Sequence, residues 1–350
     1  MSIVVQKKAV ALLLNDVHVG KDTINDFKLN WGEAINIAID NQINHILVGG
    51  DLFLSRSSQN LDILLAVHDT FQECLDNNIK LTIIEGNHDK VDQETLRGYC
   101  HVFDSFDNVR VIDTWGEVGF GPIGVGLMSY FPENGSFSDK LQEITEYFSG
   151  TNYEKWILYI HQGIRGALSQ PSDDELPAKI FKDWDQVLVG HYHNRCKFAN
   201  IEYIGSSRQH NFGEDEEKGY TILFSDGSTQ FIKNEVNIRY KTLEVSFEEI
   251  NSHMKETIDD LVHDGYKVRV KINCKPEQVK SIDKQFLIDS GASKVEVTQD
   301  NVELIKTSQN DFGKRYDKNG LKDVYSSFCQ ENNITDEEAE IGIKYLNVIQ

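Results

Sequence analysis

IKLTIIEGNHD, residues 79–89, is an apolar, β-branched run that ends abruptly in Gly86-Asn87-His88-Asp89. Such a run reads as a buried strand whose carboxyl end releases polar side chains into a crevice. The same grammar recurs on both sides. Upstream, AVALLLND (9–16) leads into Asn15-Asp16-Val17-His18, and HILVGGD (45–51) ends in Gly49-Gly50-Asp51. Downstream, WILYIHQ (156–162) delivers Tyr159-Ile160-His161, and QVLVGHYH (186–193) delivers Gly190-His191-Tyr192-His193. Between the upstream runs lie helical patterns, KLNWGEAINIAIDN (28–41) and LDILLAVHDTFQECLDN (61–77). The second is read as covering a sheet with Leu61, Leu64, Leu65, Phe71 and Leu75, leaving Asp62, Asp69 and Glu73 to solvent. From about residue 109 shorter strands follow: VRVID, VGLMSYF, WILYIHQ, QVLVGHYH, IEYIGS and YTILFSD. They imply a second sheet stacked on the first, a layered α/β sandwich.

At 350 residues the chain is long enough for two domains, and 39% hydrophobic with 26% charged residues and 5 Pro is the balance of a folded protein. Domain boundaries are expected near 235 and 300. Residues 1–235 form the sandwich; 236–300 read as β-α-β-α-β, with a helix over 276–289 started by Pro276; 301–350 read as a helical tail. No run approaches the roughly 20 apolar residues of a membrane span, and charged residues arrive too early for a secretory leader, so a cytoplasmic protein with no membrane is expected. Five scattered Cys, with no CxxC, suggest neither disulfides nor a thiolate zinc site. There is no GxxxxGK loop, so ATP hydrolysis by that route is not expected. A formal charge of −21 argues against a bulk electrostatic hold on nucleic acid; any DNA contact would be local.

The five clusters supply two carboxylates (Asp16, Asp51), one amide (Asn87) and four imidazoles (His18, His161, His191, His193). Side chains alternate along an extended segment, so Asp16 with His18, and His191 with His193, are expected to face one site. Mixed nitrogen and oxygen donors suit Mn, Fe or Zn better than Ca or Mg. Seven donors exceed what one ion needs; with one carboxylate bridging they divide into two sets of four, the composition of a two-metal hydrolase. His88 is left over as a general acid, oriented by the adjacent Asp89. His45, His68, His101, His210, His253 and His263 are given a structural role. Basic residues beside the clusters are Arg56, Lys90, Arg165, Arg195 and Arg208, of which Arg165 and Arg208 are the candidate substrate contacts.

The ordered set DVH, GGD, GNHD, H, GHYH resembles the calcineurin-like metallophosphoesterase superfamily, with its two-sheet αββα sandwich and dinuclear metal centre. The resemblance implies one ion on Asp16, His18, bridging Asp51 and His193, the other on Asp51, Asn87, His161 and His191, with His88 serving the leaving oxygen. More narrowly, GDLF (50–53) and IEYIGSSRQHNFGEDEEKGYTIL (201–223) resemble SbcD-type DNA double-strand-break repair nucleases and the phage recombination endonuclease subunit. That resemblance implies a DNA exo- or endonuclease with two divalent ions, manganese first among Mn, Mg, Fe and Zn. It also implies a smaller α+β capping domain over 236–300, a tail that docks an SMC-like coiled-coil ATPase, and a homodimer formed through helices near residues 60–105. Many cellular relatives carry His or Asp after GDLF, where this chain has Leu54. The residues alone leave two other functions open: a phosphoesterase for a small diester or a phosphoprotein, and a weakly active scaffold at DNA ends.

Overall fold

A computed structural model describes residues 7–170, 172, 175–299 and 329. The chain divides into two compact units, one of residues 1–273 with 280–298, the other of 274–279 with 299–350. The tail expected over 301–350 lies, apart from residue 329, outside the described residues.

In chain order the first unit begins with β1 (Ala9–Leu14), α1 (Ile24–Asp40), β2 (His45–Gly49), α2 (Leu61–Asp76), β3 (Lys80–Ile84) and β4 (Val109–Ile112). It continues with β5 (Trp115–Phe120), β6 (Ile123–Met128), α3 (Phe137–Ser149), β7 (Lys155–His161), the short β8 (Ile164–Arg165) and β9 (Leu176–Pro177), and β10 (Gln186–Gly190). Then come β11 (Cys196–Phe198), β12 (Ile201–Tyr203), β13 (Gly219–Phe224) and β14 (Thr229–Lys233). One six-stranded sheet runs β14-β13-β1-β2-β3-β4 and the other β11-β12-β10-β7-β6-β5. The strands that bear the clusters pair in parallel, β1-β2-β3 in the first sheet and β7-β10 in the second. Their carboxyl ends therefore open at one edge of each sheet.

The alternation within β1 shows why the layers stack. Leu12 and Leu14 point to α1 and α2, packing with Phe27, Trp31, Val67 and Phe71. Ala11 and Leu13 point the other way and pack with Val125, Leu127, Ile157, Tyr159 and Leu188 of the second sheet. The outer face of that sheet, with Leu158 and Ile160, is covered by Phe137, Leu141, Ile144 and Phe148 of α3. The order helix, sheet, sheet, helix is the sandwich read from the sequence.

The face of α2 differs in part from expectation: Phe71 and Leu64 pack on the core, but Leu61 and Leu65 do not. Ile63, Ala66, Val67, Thr70, Phe71 and Cys74 are buried, whereas Leu61 is 68% and Leu65 49% exposed. Both faces of this helix carry apolar residues, and the β-branched and aromatic set fits the sheet. Beyond the sandwich lie β15 (Arg239–Ser246), α4 (Ser252–His263), β16 (Tyr266–Cys274), α5 (Lys284–Asp289) and β17 (Lys294–Gln299), with a three-stranded sheet in the order β15-β16-β17. Val268, Val270 and Ile272 alternate inward on β16, and Ile258 and Leu287 are the buried residues of the two helices. The helix expected over 276–289 is split into a 3-10 helix, Pro276–Ser281, and α5, where Asp283 caps a fresh start by accepting the Phe286 N–H at 3.0 Å.

Candidate metal centre

Four of the cluster residues leave their strands through turns that the expected alternation misses, whereas His161 is the last residue of β7. Asp16 (φ 51°), His18 (φ 49°), Asp51 (φ 53°) and His191 (φ 93°) all have left-handed backbone. Asp and His tolerate that region better than most residues, at a cost of order 1–3 kcal/mol each. Hydrogen bonds between the loops hold them there: Asp16 N–H to Gly50 O and His18 N–H to Asp51 O, both at 3.0 Å. Asp16 and His18 thus face one site because their turn is clamped, not because the segment is extended. Gly86 permits the close approach of the third loop, since a Cβ there would stand 2.2 Å from Asp51 Oδ1.

The structure brings all seven donor residues together. His18 Nε2 lies 3.2 Å from His193 Nε2 and 3.6 Å from Asp51 Oδ2, and His193 Nε2 lies 3.8 Å from Asp16 Oδ1. On the other side His161 Nε2 lies 3.3 Å from the same Asp51 Oδ2 and 3.2 Å from Asn87 Oδ1, which is itself 3.1 Å from His191 Nδ1. Asp51 Oδ2 stands between the two groups. The outer nitrogens are engaged by protein oxygens: His18 Nδ1 with Phe53 O at 3.4 Å, His161 Nδ1 with Gly49 O at 2.9 Å and His193 Nδ1 with Glu214 Oε1 at 2.8 Å. These partners assign the proton to Nδ1 and turn each Nε2 lone pair inward, the arrangement that orients imidazole ligands.

The charges fit cations. Burial pushes His18 and His191 down to about 4, which keeps both neutral. Burial also lowers His161, but Asp51 and Asp16 outweigh it and raise it to about 9. Burial works against ionisation of Asp51, yet His161 and His18 hold it well below the usual carboxylate range. Two inward Nε2 atoms at 3.2 Å, beside two buried carboxylates, form a donor set that a proton satisfies poorly and divalent ions satisfy well.

His88 is at the mouth of the centre, its ring 4.9 Å from that of His18 and edge-on to it. Its orientation corrects the expectation from the sequence. Asp89 turns away, accepting the N–H groups of Phe53 and Gly86 at 2.9 and 2.8 Å and that of Leu52 at 3.3 Å; His88 Nδ1 instead meets Leu54 O at 2.7 Å. Adjacent side chains in a tight turn diverge, so Asp89 braces the loops from behind. Of the five basic residues, three are engaged inside the protein. Arg208, a candidate substrate contact, is 3% exposed and donates Nη2 to His18 O at 3.2 Å. Lys90 is fully buried on Tyr130 O, and Arg195 donates to Ile204 O and to Thr221 Oγ1. Arg56 and Arg165 are exposed, Arg165 on β8 four residues beyond His161.

Two residues that the sequence reading left aside belong to the site. His210 packs 5.0 Å from His18 and 4.9 Å from His193, and Glu214 holds His193. The signal was present: IEYIGS is one more apolar run, β12 lies beside β10, and polar residues follow it.

Residues 10–216 match the model of the calcineurin-like phosphoesterase family. The DNA double-strand break repair protein Mre11 of Methanocaldococcus jannaschii is 27% identical over 260 residues, covering 69% of this chain and 66% of its own. Exonuclease subunit 1 of Enterobacteria phage T4 is 23% identical over 208 residues, 58% of this chain and 59% of its own. The Mre11 protein of Methanosarcina mazei is 25% identical over 274 residues, 68% of this chain and 40% of its own. The chain thus matches less than two thirds of the length of these relatives. The family match spans more than half of the chain and contains every residue of the centre just described, and the chain belongs to the calcineurin-like phosphoesterase family.

Proposed function

We propose that this protein hydrolyses phosphodiester bonds in DNA with two divalent ions, as the nuclease subunit of a double-strand-break repair or recombination complex. The observation that carries the reading is Asp51 Oδ2, 3.6 Å from His18 Nε2 and 3.3 Å from His161 Nε2, the position of a carboxylate shared between two ligand sets. Asp16, His18, Asp51 and His193 would hold one ion, and Asp51, Asn87, His161 and His191 the other. The mixed donors favour manganese. Bound there, the ions would neutralise phosphoryl oxygens and supply an activated nucleophile. The rest falls to the protein. Glu214 and the carbonyls of Gly49 and Phe53 orient the imidazoles; His88, aligned by Leu54 O, keeps Nε2 for protonating the leaving oxygen; Arg165 meets a substrate phosphate at the rim.

The relatives named for DNA repair and for an exonuclease support DNA over a small diester. We assign residues 1–235 to the nuclease domain, 236–300 to the capping domain and 301–350 to the segment that docks an SMC-like ATPase partner, in the cytoplasm. No helix of the described residues is long and apolar enough to cross a membrane. A homodimer through α2 is supported by its exposed Leu61 and Leu65 and by a groove of about 410 Å³ lined by Leu64, Leu65, Leu75, Val102 and Phe106.

The test is cleavage of end-labelled single- and double-stranded DNA with manganese, beside a chromogenic diester, for the wild type, Asp51→Asn and His88→Ala. DNA cleavage that both substitutions abolish is the expected result. Hydrolysis of the chromogenic diester alone would make the substrate a small molecule; cleavage that survives Asp51→Asn would refute the shared carboxylate.

A further inference from the structure

Residues 205–210 form a strap across the loop that carries Asp16 and His18. Asn15 Nδ2 donates to Gly205 O at 3.0 Å, and Ser207 N–H donates to Asn15 O at 3.1 Å. Arg208 Nη2 donates to His18 O at 3.2 Å, and His210 Nε2 meets Asp16 O at 2.8 Å. A carbonyl only accepts, so His210 carries its proton on Nε2. Three of the four carbonyls of the segment 15–18 are thus held by the strap, and those of Asp16 and His18, the two left-handed residues, accept from its side chains, His210 and Arg208. Gln209 points the opposite way, pairing with Tyr240 through both backbone groups at 2.8 and 3.1 Å. The alternation gives the strap one face toward the ligand loop and one toward β15.

His210 reaches further than its bond to Asp16. Its ring stands edge-on to His18, 5.0 Å away at 82°, and 4.9 Å from His193. Its own N–H donates to Glu214 Oε2 at 3.0 Å, while Glu214 Oε1 takes His193 Nδ1 at 2.8 Å. One residue therefore touches the support of three donors, Asp16, His18 and His193, and contacts the side chain of none on the Asn87 side among the described residues.

We propose that His210 is a positioning residue for the ion held by Asp16, His18, Asp51 and His193, and that its loss weakens that ion selectively. This rests on the two-ion reading above. Outer-shell partners of ligands change metal affinity by roughly 10–100-fold. Asymmetry is the mark of the role: a residue that merely filled space would weaken both ions together, or lower the stability of the ion-free protein and nothing else.

Manganese binding to the full chain, followed by the electron paramagnetic resonance of the free ion, separates these cases. His210→Phe keeps a ring against His18 and His193 but removes the donor to Asp16. One of two sites is expected to weaken by roughly tenfold or more, with the other nearly unchanged. His210→Gln, whose amide can reach the Asp16 carbonyl, should restore most of the loss. Thermal unfolding of the ion-free variants checks the fold; if the Phe variant does not fold, His210→Asn, too short to reach, should show the same one-sided loss. Equal weakening of both sites, no weakening, or a Gln variant no better than Phe would overturn the proposal. A wild type that binds fewer than two ions would overturn the two-ion reading itself, before any variant is compared.

Discussion

His45, at the start of β2 and remote from the centre, shows how one residue couples this fold to pH. Burial, then the charges of Lys80 and Arg110, push its imidazole down to about 4, and its Nε2 shares a hydrogen bond with Thr82 Oγ1 at 2.9 Å. The unfolded value is near 6.5, so between about 4 and 6.5 the unfolded chain binds the proton and the folded chain does not. The contribution is whole above 6.5 and is lost as pH falls toward 4, on the order of 3 kcal/mol in all. His45→Gln should flatten that part of the slope in urea unfolding at stepped pH with chelator present; an unchanged slope would show that the imidazole is accessible to protons in the folded state. The seven residues that the structure brings together were legible in the sequence, because each lies at or just beyond the end of an apolar run. What was not legible depended on backbone turns. Asp89 was read as the partner of His88 because they are neighbours in sequence, and Arg208 as a substrate contact because it is charged and near the ligands; the turns send one behind the loops and the other beneath them. His210 was passed over as a lone histidine, since only the strap shows that residues 16 and 210 meet.

Among the elements, the strands were the clearest in the sequence and α2 the least. A strand buried on both faces is an unbroken apolar run, so β1, β2, β3, β7 and β10 stand out whichever way they face. A helix must declare one face, and α2 declares two: Ile63, Val67, Phe71 and Cys74 toward the sheet, Leu61 and Leu65 away from it, with Leu64 packed at the edge of the core. Periodicity alone cannot rank two overlapping apolar stripes; the expected set joined Phe71 and Leu64, which pack on the core, to Leu61 and Leu65, which do not. The outward stripe is then apolar surface with no role in the core of the sandwich. Leu65→Glu should leave thermal unfolding of the subunit nearly unchanged, since an exposed position contributes within about 0.5 kcal/mol. It should convert a dimer to a monomer in sedimentation equilibrium, if α2 is the dimer contact. A variant that stays dimeric would move the contact elsewhere.

Taken whole, the molecule carries a formal charge of −21, and the DNA proposed as its substrate is a polyanion, so the disposition of its basic residues bears directly on that proposal. Lys90, Arg195 and Arg208 are bound to backbone oxygens or buried, which leaves Arg56 and Arg165 exposed near the centre. On the three-stranded sheet the basic row is answered by acid: Lys271 pairs with Glu244 at 3.1 Å and Lys294 with Glu296 at 2.6 Å. Under the proposed function, cations at the centre, not a basic face, carry most of the attraction. Each phosphate neutralised by a side chain adds about −0.9 to the slope of log affinity against log salt for duplex DNA, so two or three such contacts give a slope of about −2 to −3. Anisotropy of a labelled duplex over a series of KCl concentrations, with His88→Ala to prevent cleavage, should return that shallow slope. The same titration without divalent ions should show binding fall sharply. A slope steeper than about −5 would mean that many phosphates are neutralised by side chains, a grip that the basic residues around the centre are too few to provide. Shallow salt dependence joined to strict ion dependence is what the proposed function requires of so acidic a protein.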